Sequence, residues 1–172
     1  MTTALWRIAV ASVYQPQDLS GAGAQATGGR WNSRGNALVY CSSTIALAAL
    51  ETLVHLGGAA FPLNRYLVRI DVPDGVFAKC LDAMPLVPRT WDALPAATAS
   101  QRWGDAWLRA RSTLLCAVPS VVVPEERNVL INPAHPDAKK LRATVVRKFT
   151  YDGRLRPTTK PSPTPRPSPS PF

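Results

Sequence analysis

The sequence predicts an α+β fold, a single compact domain carrying a proline-rich tail. Short apolar runs bounded by turn residues read as strands, one early segment carries helix-capping residues at both ends, and alternate residues near the C-terminus are proline. A chain of 172 residues is long enough to bury one hydrophobic core and too short to expect two domains.

Taken in order, residues 37–41 form a short apolar strand. Ser42 and Ser43 can cap a helix over residues 44–56, which Gly57 and Gly58 end. In that helix Leu47, Leu50 and Val54 fall three and four apart, the spacing of a buried face. Residues 66–72 read as a strand stopped by Pro73, and Pro85 and Pro88 make the next stretch irregular. A second helix is expected over residues 100–112. Residues 114–123 are almost wholly apolar, but Pro119 argues against one continuous central strand. Residues 128–132 form another strand, 134–142 a helix and 143–151 a closing strand. Several short strands with one early helix fit α+β better than a doubly wound sheet, and no internal repeat shows. The domain spans residues 1–155. Residues 156–172, with proline at every second position from Pro161 to Pro171, are expected to form an exposed polyproline-II tail.

Composition narrows the function. No run approaches the roughly 18 to 20 apolar residues of a membrane-spanning helix, and no secretory signal is visible. Three widely spaced cysteines without a CxxC pair speak against a disulfide framework or zinc-thiolate site, and place the chain in a reducing cytoplasm. The net charge of +9 is carried largely by arginine, which suits phosphates or an acidic partner. No helix-turn-helix, zinc finger or aromatic single-strand platform accompanies it.

Five segments can carry chemistry. In Thr27–Gly35, glycines allow sharp bends beside Arg30, whose guanidinium could clamp a pyrophosphate; a structural turn with a surface arginine explains the pattern equally well. Tyr40 can stack on a flat ring or pack in the core. Glu51 sits mid-helix among apolar residues, so it must be paired, hydrated in a cleft or shifted in pKa. His55, one turn on, is a structural partner for it; the alternative is a pocket carboxylate facing developing positive charge. Ser120 is a lone hydroxyl in an apolar run and lacks an esterase elbow. Asn132 can cap the next helix with Pro133 at its first position, and His135 sits in the first turn. Two histidines and no HExxH motif give a metal site little support.

Together these segments resemble the RES domain, a family named for its arginine, glutamate and serine. The matching pieces are Trp6-Arg7, Leu19 to Gly23, Gly28 to Asn32, Gly35, Val39-Tyr40, Ala49 to Glu51, Val118 to Ser120, Asn128 to Pro133 and His135-Pro136. They cover residues 5 to 152 and leave the tail outside. The resemblance implies a fold like the diphtheria-toxin-type ADP-ribosyltransferases and a toxin that acts on NAD⁺. It implies that Arg30 binds the phosphates or the nicotinamide-side ribose, that Tyr40 lines the nicotinamide pocket, and that Glu51 stabilises a cationic ribose. Ser120 takes the family serine position, Asn132 a late polar position nearby, and Arg7 adds a phosphate contact.

The implied reaction cleaves the nicotinamide–ribose bond of NAD⁺, with water or inorganic phosphate as acceptor and no metal. A mono-ADP-ribosyltransferase acting on a cellular protein would share the same residues, and a non-catalytic interaction module is the third class. The implied partner is an Xre-like helix-turn-helix antitoxin, with DNA reached only through it. No membrane is expected, and homo-oligomerisation is left open.

Overall fold

The computed structural model describes residues 1–11, 14–56 and 61–155. The tail expected over residues 156–172, and the glycines expected to end the early helix, lie outside the described residues. The described residues form a seven-stranded sheet: β1 (Thr2–Val10), β2 (Val39–Ser42), β3 (Arg65–Pro73), β4 (Leu81–Asp82), β5 (Leu115–Pro119), β6 (Arg127–Ile131) and β7 (Arg142–Lys148). The spatial order is β4-β5-β6-β2-β1-β3-β7, antiparallel throughout except for the β4–β5 pair. The helices are α1 (Ala22–Thr27), α2 (Ile45–Leu53), α3 (Asp74–Phe77) and α4 (Thr98–Ala110). This is the α+β domain that the short strands predict.

Register sorts the side chains onto two faces, because residues directly opposite each other share a face and neighbours along a strand alternate. One face carries Leu5, Ala9, Val39, Cys41, Val68, Ile70, Val72, Leu115, Val129 and Ile131 in a continuous core. The other face carries two separate clusters. Trp107 and Leu108 of α4 pack on Trp31, Leu38, Cys116, Val118 and Leu130, with Tyr40 beside them. Ala48 of α2 packs with Ile8, Leu67, Phe149 and Tyr151, with Trp6 beside them. Trp6 faces Ser42 and Ser42 faces Asn128, so these two polar residues sit on the same face where the two clusters meet.

Several elements differ from their expected form for identifiable reasons. β1 carries no clean polar–apolar alternation because it lies in the middle of the sheet with both faces covered, which erases the period-2 signal. β5 stops at Pro119, whose missing N–H is tolerated because β4 reaches only Cys116 and Ala117 on that side. The segment expected as a helix over 134–142 is a 3₁₀ turn, Pro136–Lys140, capped by the His135 imidazole, which accepts the Asp137 N–H. α2 begins after Thr44 rather than Ser42 or Ser43, and Thr44 Oγ1 accepts the Leu47 N–H at 3.1 Å.

The buried face of α2 is also rotated from the expected one. Leu47 is fully buried beside Ala48, while Leu50 and Val54 remain 37% and 55% exposed. The helix thereby turns Ala48, Glu51 and Thr52 toward the sheet. Leu47→Ala is expected to cost about 2–5 kcal/mol in urea unfolding, whereas Val54→Ser should stay within roughly 0.5 kcal/mol.

Candidate active site

Glu51 cannot be turned inward on α2 without partners, because a half-buried carboxylate needs donors. The β5–β6 hairpin supplies them. It is clasped to the start of α2 by Thr44 Oγ1 donating to Glu126 Oε2 at 3.1 Å and by the Ser43 N–H donating to the Arg127 carbonyl. At the turn end of the hairpin Ser120 Oγ, just past β5, donates to Glu51 Oε1 at 2.7 Å, and Asn128 Nδ2, on β6, donates to the same oxygen. Ser120 Oγ also accepts the Val122 and Val123 N–H groups, each at 3.0 Å. With its lone pairs so occupied and its one proton given to a carboxylate, Ser120 is a donor rather than a nucleophile. His55, the partner that helical spacing suggested for Glu51, lies exposed in the turn just past the end of α2.

Arg30 is held by a second construction. Tyr40 Oη accepts the Trp31 N–H at 3.0 Å and donates to Asn32 Oδ1 at 2.8 Å. Burial pushes the Tyr40 phenol well up from its ordinary range, partly offset by the Trp31 N–H and the Arg30 charge, so it stays a neutral donor. Fully buried Asn32 spends its amide on the Ala24, Ser33 and Asn36 carbonyls. From α4, Gln101 donates to the Gly29 carbonyl at 3.0 Å, Asp105 accepts the Ser33 N–H at 3.0 Å, and Gly104 lets the Trp31 carbonyl approach so closely that a Cβ would sit 1.9 Å from it. Gly29 is equally constrained, since a Cβ there would meet Tyr40 Oη at 2.5 Å. The turn aims Arg30 Nη1 at the Trp91 and Ala93 carbonyls, at 2.6 and 2.9 Å. Both bonds use Nη1, which leaves Nε and Nη2 as donors for a ligand among the described residues.

The six sequence candidates therefore divide. Glu51 and Ser120 meet directly, and Tyr40 lies on the same sheet face as the Glu51 partner Asn128 and its neighbour Ser42, bracing the Arg30 turn. Arg7 does not join them. It follows Trp6 on β1 and so points to the opposite face, where its Nη1 donates to the Asp18 carbonyl at 3.1 Å. Asn132 is buried and structural: Nδ2 donates to Leu108 O at 2.9 Å, tying down the end of α4, and Oδ1 accepts the Ala134 N–H. It does not cap the 3₁₀ turn, a role taken by His135.

Sequence reading gave Ser42 only a capping role, named Asn128 only within a matched segment, and passed over Gln101, Gly104 and Asp105. The last three had a findable signal, their i, i+3, i+4 spacing on one helix face. Ser42 and Asn128 meet only through strand register, which no local pattern encodes.

Other chemistry is weakly provided. Among the described residues no group of three or more His, Cys, Asp or Glu is placed to hold a metal. The cysteines are free, and burial pushes the thiols of Cys41 and Cys116 up to about 12 and that of Cys80 to about 11, so all three stay as thiols near neutrality. An open groove of about 550 Å³ lies across β1, β3 and β7, lined by Thr2, Arg69, Asp71, Arg142 and Thr144 among others; none of the six candidates borders it. No described helix is long and apolar enough to cross a membrane.

The model of the RES domain matches residues 4–152. The chain belongs to the RES domain family. A relative from Sphingobium sp. (strain YBL2), named Prs ADP-ribosylating toxin, is 56% identical over 157 residues, covering 90% of this chain and 98% of the relative. Relatives named Toxin Res are 39% identical in Pseudomonas putida, covering 88% of this chain and 98% of theirs, and 35% identical in Yersinia enterocolitica, covering 88% and 99%. A chain of the Mycobacterium tuberculosis MbcT–MbcA toxin–antitoxin complex shares the fold, with a TM-score of 0.55, 17% identity and 86% of each chain covered. The Arg30, Glu51 and Ser120 of this RES domain are thus set by two hydrogen-bonded constructions on one sheet face.

Two stability outcomes follow from the Arg30 turn. Tyr40→Phe leaves the Trp31 N–H and Asn32 Oδ1 without their partner and should cost about 1–3 kcal/mol in urea unfolding. Partial burial works to raise the Asp105 carboxyl, but donors from Ser33 and Asn36 and the Arg109 charge hold it below its ordinary 3.8. That stabilisation is complete above 3.8 and is lost as pH falls through the depressed folded value. The urea midpoint of the native protein should therefore drop more steeply on acidification than that of Asp105→Asn.

Proposed function

We propose that this RES-domain protein is a toxin that cleaves the nicotinamide–ribose bond of NAD⁺. The observation that carries the reading is the Glu51 carboxylate: both of its hydrogen bonds fall on Oε1, which fixes the group and leaves Oε2 as a free acceptor among the described residues. When the bond from ribose C1′ breaks, the nicotinamide leaves neutral with the bonding pair and positive charge remains on the ribose. A fixed carboxylate lowers the energy of that charge without having to reorganise. Arg30, with Nε and Nη2 uncommitted, suits the substrate's phosphates or the ribose near them. Tyr40 supports that arginine and offers its ring face to the nicotinamide. Arg7, on the other face of the sheet, is not part of this arrangement.

The acceptor decides the product. Water would give ADP-ribose and a proton; inorganic phosphate would give phosphorylated ADP-ribose. A protein side chain is a second reading, favoured by the relative that is 56% identical and named for ADP-ribosylating Prs. All three release nicotinamide. Relatives named as toxins, and a structural neighbour solved with an antitoxin, support a protein inhibitor as partner. We take that partner to be an Xre-like helix-turn-helix protein and the site of action to be the cytoplasm.

Purified protein incubated with NAD⁺, with and without phosphate, and with candidate protein acceptors, should release nicotinamide. Glu51→Gln should slow that release about 100- to 1,000-fold, the scale of losing one preorganised electrostatic group. Wild-type rates from Glu51→Gln would remove Glu51 from the mechanism, and covalent label on a protein would identify the transferase reading.

A further inference from the structure

A carboxylate stabilises charge only where it is held, and here the holding groups come from a register pair. Ser42 on β2 and Asn128 on β6 are directly opposite each other. Ser42 is buried, and its Oγ donates to Asn128 Oδ1 at 2.6 Å. A side-chain amide can be turned by 180°, exchanging its donor and acceptor ends. The carboxylate settles that choice: it can only accept, so Nδ2 is the end that meets Glu51 Oε1, and the Ser42 hydroxyl donates to the Oδ1 left facing it. The reverse orientation would set a carbonyl oxygen against the carboxylate.

We propose that Asn128 is the positioning residue for Glu51, and that Ser42 acts through Asn128 by anchoring the far end of its amide. The inference rests on Glu51 being the charge-stabilising group. Ser120 supplies the other bond to Oε1, but its oxygen is tied to the backbone of the hairpin turn, so it follows that turn. Asn128 instead ties Glu51 to the sheet itself, in the register that also places Tyr40 opposite Leu130. The chain from β2 through β6 to α2 therefore sets Oε2 relative to the sheet face on which the substrate would lie.

The test is steady-state nicotinamide release by the full chain carrying Asn128→Ala, Asn128→Asp, Ser42→Ala or Ser42→Ala with Asn128→Ala. Asn128→Ala should lower kcat roughly 10- to 100-fold, the scale of a misplaced reacting group, with KM for NAD⁺ within about twofold. Ser42→Ala should lower kcat by a smaller factor, and the double variant should be no slower than Asn128→Ala alone. Asn128→Asp keeps the shape and the acceptor for Ser42 but replaces the donor with an oxygen; it should be at least as slow, and it carries the test where the alanine variant fails to fold. An Asn128 variant with kcat near wild type, a rise in KM alone, or multiplicative losses in the double variant would each overturn the proposal. Growth arrest on induced expression is scored in parallel. If wild-type protein arrests growth yet releases no nicotinamide, the NAD⁺ reading fails, and arrest relieved by Glu51→Gln but undiminished in the Asn128 variants overturns the positioning role independently.

Discussion

The one charged side chain on α2, Glu51, organises this site. Turning Glu51 toward the sheet buries part of a carboxylate, and α2 itself has no donor to offer it. The donors arrive from Ser120 and Asn128, on the two arms of the β5–β6 hairpin at its turn end. The hairpin must then be fixed against α2, which the Thr44–Glu126 and Ser43–Arg127 contacts accomplish. The rotation of α2 belongs to the same constraint. Presenting Ala48, Glu51 and Thr52 to the sheet leaves Leu50 and Val54 facing outward, so an apolar stripe is exposed to keep a polar group inside.

The arginine is handled by the opposite strategy. Arg30 sits on a turn, and turns hold their shape only when their backbone groups are bonded to something rigid. Tyr40 braces it from the sheet, Asn32 from within, and Gln101, Gly104 and Asp105 from α4. The two constructions share a sheet face because Tyr40 and Ser42 are two residues apart on β2. A cation and a carboxylate are thereby placed on one surface by parts of the chain some twenty residues apart, with a tyrosine on the strand between them.

Legibility in the sequence tracks the range of the signal. A helix in the α2 region was legible from the sequence, although Thr44 rather than Ser42 or Ser43 caps it; β3 was legible through its β-branched run and Pro73, and the interruption of the 114–123 run through Pro119. The central strand β1 was not, because burial on both sides removes the alternation that marks a strand. The face of α2 was misread for a related reason: Leu50 and Val54 fit a buried stripe by period alone, and only the need to satisfy Glu51 rotates it away. Arg7 and Arg30 were both plausible phosphate ligands as residue types, yet they stand on opposite faces, a difference of a single position along β1.

The sequence by itself determined the α+β class, the short interrupted strands and, through the order and spacing of its arginine, tyrosine, glutamate and serine segments, the family. These follow from local periodicity, from proline and glycine geometry, and from motifs a few residues long. Tertiary structure alone decided that Glu51 bonds Ser120 and Asn128 instead of His55, that Asn132 is a strut for α4, and that Ser42 bonds the Asn128 amide across the sheet. Each of these depends on strand register, and register is fixed by which residues the whole core buries, a sum over contacts that no local stretch of the chain contains.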